Sequence, residues 1–131
     1  MKKLMLSVFI VMSISISCST TDKTPEEIAV FIFEKCFNGE YEKTYEYLRL
    51  KDGTQLTENE HKKYKEETSE YFNDFISNHG NLIQIEVEGS GPIDDNTYGV
   101  RLNISFEDGY SEDENLRLKK FDNNWYFTVR K

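Results

Sequence analysis

The last third of the chain alternates apolar and polar side chains in four successive segments, and no other feature limits the fold as much. Over residues 82–87, Ile83, Ile85 and Val87 point one way while Gln84 and Glu86 point the other. Over residues 98–106, Tyr98, Val100, Leu102, Ile104 and Phe106 share one face; Gly99, Arg101, Asn103 and Ser105 share its reverse. Over residues 115–121, Leu116 and Leu118 oppose Asn115, Arg117 and Lys119, and over residues 125–129, Trp125, Phe127 and Val129 oppose Tyr126 and Thr128. A period of two predicts half-buried strands. Turn-forming residues separate them: Gly89-Ser90-Gly91-Pro92 with Asp94-Asp95-Asn96, then Asp108-Gly109, then Asp122-Asn123-Asn124. Strands joined by hairpins make an antiparallel meander.

The polar face of this sheet carries Glu86, Glu88, Arg101, Arg117, Lys119 and Arg130. Charges of both signs favour cross-strand ion pairs, each contributing about 0.2–1 kcal/mol, over an anion-binding surface.

Upstream, the pattern changes to helical. Thr24-Pro25-Glu26-Glu27 is a capping box with proline at the first helical position. The helix it opens runs to about Phe37, with Ile28, Ile32 and Cys36 on one line and Ala29, Phe33 and Phe37 on the next. Asn38-Gly39 ends it. A second helix is expected over residues 40–50, with Tyr41, Tyr45 and Leu48 on one side, followed by a turn at Lys51-Asp52-Gly53. Thr57-Glu58-Asn59-Glu60 is another capping box, opening a long helix to His79 that Gly80 stops. Its apolar line is Tyr64, Thr68, Tyr71, Phe72, Phe75 and Ile76. Helices followed by strands predict an α+β fold: three N-terminal helices on one face of a four-stranded antiparallel meander.

The chain of 131 residues is the size of one domain. Aromatic residues make up 14% of it, so a packed core is within reach. Its net charge of −8 disfavours nucleic acid and anionic lipid headgroups as partners.

The N-terminus reads as an address. Met1-Lys2-Lys3 is a basic start, and residues 4–14 form an apolar run interrupted by Ser7 and Ser13. That run is short of the roughly 20 residues a spanning helix needs, and it fits a secretory leader. Ser15-Ile16-Ser17-Cys18 follows. It resembles the lipobox of bacterial lipoproteins, in which the cysteine is diacylated and becomes the new N-terminus. The resemblance implies a signal peptide over residues 1–17, lipid on Cys18, and a tether to residue 24. Ser15 stands where leucine is usual, and Ser15-Ile16-Ser17 also satisfies the small-x-small rule of ordinary signal peptidase. Ser19 after the cysteine resembles a sorting signal for the outer rather than the inner membrane. The only other cysteine is Cys36, on an apolar helix face, where a buried inert thiol is expected.

From Thr24-Pro25-Glu26-Glu27 through Asn38-Gly39-Glu40-Tyr41, the long helix and the closing Asn124-Trp125-Tyr126, residues 25–131 resemble small bacterial lipoproteins with a cystatin-like domain. These belong to the superfamily typified by nuclear transport factor 2 (NTF2). The resemblance implies a cone-shaped α+β domain with a pocket between sheet and helices. Its members include isomerases, dehydratases and small-molecule binders, and fold alone does not choose among them.

In such a pocket Tyr45, Tyr64, Tyr71 and Tyr98 are the candidate ligand contacts. His61 and His79 lie eighteen residues apart, about 27 Å along a helix, too far to share a metal. Asp94-Asp95, Asp122, Glu107-Asp108 and Glu112-Asp113-Glu114 read as solvated acidic loop tips without calcium-hand spacing. There is no phosphate loop, zinc pattern or nucleophile elbow, so no cofactor, metal or catalytic residue is expected. The inward sheet positions offer no carboxylate, which favours a non-enzymatic envelope lipoprotein binding a protein partner or a small ligand. Asp74 or Glu34 buried beside a tyrosine would favour an isomerase or hydrolase. An exposed aromatic row along Tyr41 and Tyr47 would favour an accessory subunit of an envelope complex.

Overall fold

Helix α1 (Pro25–Phe37) starts at the capping box read from the sequence. Thr24 Oγ1 accepts from the Glu27 amide at 3.2 Å, and the Thr24 amide donates to Glu27 Oε1 at 2.9 Å. The computed structural model describes residues 23–130; the leader, Cys18 and the tether through Asp22 lie outside them. Ile28, Ala29, Ile32, Phe33, Cys36 and Phe37 form the buried stripe of α1. Helix α2 (Glu58–His79) is capped the same way by Thr57 and Glu60 and stops at Gly80, whose φ of +86° suits glycine. No helix among the described residues is long and apolar enough to cross a membrane.

Between them the second helix differs from the expectation. Residues Tyr41–Tyr47 form a 3-10 helix, and Leu48–Leu50 form a short strand, β1. The buried positions explain it. Tyr41, Thr44 and Tyr47 are spaced by three, the repeat of a 3-10 turn, in which residues three apart eclipse. Leu48 and Leu50 then face inward around Arg49, a strand alternation.

The remaining strands are β2 (Leu82–Asp94), β3 (Thr97–Phe106), β4 (Ser111–Phe121) and β5 (Asn124–Val129). The sheet is five-stranded and mixed, in the order β1-β5-β4-β3-β2. The meander is antiparallel as expected, but β1 adds a parallel edge, with Leu48, Arg49 and Leu50 opposite Phe127, Thr128 and Val129. Asp122 and Asn123, at φ of 51° and 68°, close the last hairpin as a two-residue turn.

Strand β2 departs most from the expected pattern. It does not end at Val87 but runs through Gly89-Ser90-Gly91-Pro92 to Asp94. As the sheet edge it tolerates glycines and a proline that a central strand would not. Its register shifts at Ile83, Glu88 and Ile93. Each shift resets the alternation, so Ile83 is 65% exposed while Leu82 and Ile85 pack on the core. Val87, also expected inside, is 41% exposed at the edge.

The core lies between α1, α2 and the inner sheet face, around Ile28, Ile32, Phe37, Leu102, Ile104, Phe106, Leu116 and Leu118. A smaller cluster of Leu48, Leu50, Leu56 and Tyr64 seals the β1 end. Tyr41 and Tyr47, considered above as an exposed row, are both buried. On the outer face the expected ion pairs do not form among the described residues. Arg101 stands opposite Asn115 and bonds it at 3.3 Å, and Asn103 stands opposite Asp113 at 2.9 Å. The register places charged residues across from neutral ones.

Candidate functional site: a cavity under the helices

A cavity of about 300 Å³ opens where α1 and α2 pass over the first half of β4. Ile32, Phe33, Phe72, Leu116 and Phe127 give it apolar walls. The Phe33 and Phe72 rings meet edge to face at 5.2 Å, and Tyr71 meets Phe72 in the same way at 5.2 Å. The volume is at the lower end of the small-molecule range.

Two of the four candidate tyrosines, Tyr64 and Tyr71, line the cavity. The Tyr64 hydroxyl lies 3.2 Å from Thr44 Oγ1 and 3.7 Å from Cys36 Sγ. Thr44 already donates to the Tyr41 carbonyl at 2.7 Å. Donation therefore runs from Cys36 to Tyr64 to Thr44 to Tyr41, which ties both helices to the 3-10 turn. Burial pushes the Cys36 thiol up to about 11 and raises the Tyr64 phenol well above its ordinary value. The expected inert thiol is what the site contains, and the Tyr64 hydroxyl is committed to the fold.

Tyr45 and Tyr98 lie elsewhere. The Tyr45 ring stacks on His61 at 4.1 Å near the start of α2, packed against the smaller buried cluster. The Tyr98 hydroxyl donates to Glu26 Oε2 at 2.9 Å, where Ser90 also donates at 2.6 Å, and these bonds, the Ser90 one foremost, hold the Glu26 carboxyl below its usual range. His79 is at the far end of α2, its Nδ1 2.9 Å from Asp108 Oδ2 and its ring stacked on Tyr110 at 3.8 Å.

The group that the sequence reading missed is Glu114. Residues 112–114 are not a loop tip but the start of β4. The two-residue period that points Leu116 and Leu118 inward points Glu112 and Glu114 inward as well. Glu114 lines the cavity, and the Tyr71 hydroxyl donates to its Oε2 at 2.7 Å. Burial and a hydrogen bond to the Glu112 carboxyl raise its pKa to about 7, against the opposing effect of Tyr71. Tyr71 is itself raised, by burial first and then by Glu114. Asp74 and Glu34, weighed as possible buried carboxylates, are both exposed. Extending the alternation of β4 two pleats back from Leu116 is the signal that would have found Glu114.

A family model described as domain of unknown function DUF4878 matches residues 16–128. The chain belongs to the DUF4878 family. No curated protein matches it. Among solved structures, this DUF4878 chain is similar to a proposed NTF2-like transpeptidase from Campylobacter jejuni. The TM-score is 0.65 at 16% identity, over 82% of this chain and 99% of that one. A SEC-C motif protein from Rhodopseudomonas palustris matches with a TM-score of 0.50 at 11% identity, over 80% of this chain and 75% of that one. An NTF2-like protein of unknown function from Shewanella oneidensis gives 0.47 at 12% identity, over 82% and 100%. The Campylobacter likeness shows an NTF2-like fold for the DUF4878 domain, and at that identity it shows the fold alone. The cavity of this DUF4878 chain lies between helices and sheet. Among its described residues no group of three or more His, Cys, Asp or Glu side chains is placed to hold a metal.

Proposed function

We propose that this chain is a membrane-anchored binding module of the bacterial envelope, held by lipid on Cys18 and taking a small apolar ligand into the cavity. The observation that carries this reading is the cavity itself: an apolar wall with one converging polar pair, Tyr71 and Glu114, the usual design of a small-molecule site. The family match opens at residue 16, beside the point where the leader is expected to end, which supports counting Cys18 with the domain. The name of the Campylobacter neighbour points to transpeptidation, which would need a nucleophile. Cys36 is buried with its thiol pushed up to about 11, and no histidine among the described residues lines the cavity, so the site favours binding over acyl transfer.

Native mass spectrometry of the full lipoprotein, gently extracted from its own envelope, tests this. A small-molecule mass is expected, and it is expected to vanish in a Leu116→Trp variant that fills the cavity. A mass that survives the filling variant, or a protein mass alone, would overturn the ligand reading. Cys18→Ser is expected to release the chain from the membrane fraction; retention there would overturn the anchor.

One observation favours a second reading. A carboxyl that titrates near 7 in an apolar cavity is suited to proton transfer, as in an isomerase or hydrolase. Solvent-deuterium exchange into carbonyl compounds, lost in Glu114→Gln, would establish it; binding without exchange would leave the module non-enzymatic.

A further inference from the structure

The charge of the ligand can be read from what lines the cavity. Its ionisable side chains are Glu67, Tyr64 and Tyr71 of α2, Cys36 of α1, and Glu114 of β4. Among the described residues no Lys, Arg or His lines it. Glu112 lies behind Glu114 on the same face and shares a hydrogen bond with it; the Tyr110 hydroxyl donates to Glu112. On α2, His79 pairs with Asp108 and Lys65 with Glu42 at 2.6 Å; His79 also acts electrostatically on the Glu112 carboxyl. An anionic ligand would enter against two carboxyl groups with no countercharge. A cation would meet Glu114, Glu67 and the rings of Phe33, Phe72 and Tyr71, the combination of carboxylate and aromatic ring that attracts ammonium groups.

We infer that the cavity is a site for a small hydrophobic amine, its ammonium against Glu114 and its apolar body among Phe33, Phe72 and Leu116. This rests on the ligand-binding reading above. The proton balance is simple. In the empty cavity a desolvated carboxylate has no cationic partner, so Glu114 holds a proton up to about pH 7. An ammonium takes the place of that proton. The complex keeps the amine protonated and Glu114 ionised, and the carboxyl proton leaves to solvent. Binding below pH 7 therefore releases about one proton, and affinity falls about tenfold between pH 8 and pH 6.

The test uses the full chain in zwitterionic lipid nanodiscs, with empty discs as the blank. Fluorine NMR line broadening reads the binding of 4-fluorobenzylamine, 4-fluorobenzyl alcohol and 4-fluorobenzoate. The amine is expected to bind at least about tenfold more tightly than the alcohol, with the benzoate weakest and the amine losing affinity from pH 8 to pH 6. Glu114→Gln is expected to bring the amine down to the affinity of the alcohol; Glu67→Gln, at a more exposed site, gives a smaller loss and guards against misfolding of the first variant. Alcohol or benzoate binding as tight as the amine would overturn the amine assignment and leave the apolar pocket standing. Binding by none of the three would overturn both.

Discussion

The inward face of β4 carries Glu112 and Glu114 in its first half and Leu116 and Leu118 in its second. The backbone treats the halves alike: one strand, one alternation, antiparallel pairing with β3 throughout. Leu118 is fully buried under the helices and Leu116, at 5% exposed, forms an apolar wall of the cavity, whereas Glu114 borders that cavity only partly buried. Strand geometry thus sets where a side chain points, and the chemistry of the side chain sets whether the layer above can seal on it. Sealing a leucine stabilises by about 1.5–3 kcal/mol. Sealing a carboxyl is unfavourable unless a partner or a proton meets it, and here Tyr71, Glu112 and a raised pKa do so.

The leucine half gives the largest expected effect. Leu118→Ala should lower the unfolding free energy by about 3 kcal/mol, because a fully buried leucine leaves a void its neighbours only partly fill. Urea denaturation at pH 5 measures it. A loss below about 1 kcal/mol would mean that this half is as loosely covered as the other.

Tyr64→Phe comes next. The phenol joins Cys36 and Thr44 across the wall shared by cavity and core. Its removal should cost about 1–2 kcal/mol by leaving the buried Cys36 and Thr44 groups short of a partner. The same denaturation series reads it, and an unchanged midpoint would break the claim that this hydroxyl belongs to the fold.

Glu114→Gln should act with the opposite sign. The folded chain holds the Glu114 proton to about pH 7, while the unfolded chain releases it near the ordinary glutamate value of 4.5. Between those values the folded state binds more protons, so stability falls as pH rises, and the loss is complete above about pH 7. The glutamine variant cannot titrate there. At pH 8 it should be more stable than the parent by about 1 kcal/mol, allowing for solvent screening of a partly exposed group, and near equal at pH 4.5. Thermal melts at the two pH values decide it; a variant less stable at pH 8 would show the carboxylate to be stabilising.

How much of this was legible follows from the range of the interactions. Thr24 with Glu27 and Thr57 with Glu60 are three residues apart, so both helix starts stand in the sequence. So do β3, β4 and β5, whose alternation needs no knowledge of partners. Strand β1 does not, because three residues acquire strand geometry only by pairing with β5, nearly eighty residues on. Nor do the shifts at Ile83, Glu88 and Ile93, which are settled by β3. Glu114 was legible in direction and hidden by its type: three acids after Gly109 look like a turn until the strand is extended back to Ser111.

Tyr71→Phe is the smallest change and the finest probe of the acidic half. Tyr71 is 42% exposed, so losing its hydroxyl should move stability by no more than about 0.5 kcal/mol. Its effect falls on Glu114. The phenol donates to Oε2 at 2.7 Å, a bond that favours the ionised carboxyl and opposes burial and Glu112. Without that donor the Glu114 pKa should rise above its value of about 7, with a smaller response at Glu112, which is hydrogen-bonded to Glu114 and also accepts from Tyr110. Carbon-detected NMR titration of the two glutamate side chains separates them. An upward shift larger at Glu114 than at Glu112 makes Tyr71 the group that keeps this half of β4 partly ionised at neutral pH. A shift shared equally by both carboxyls would mean that they titrate as one unit, and that the hydroxyl sets their common proton rather than the charge at the cavity.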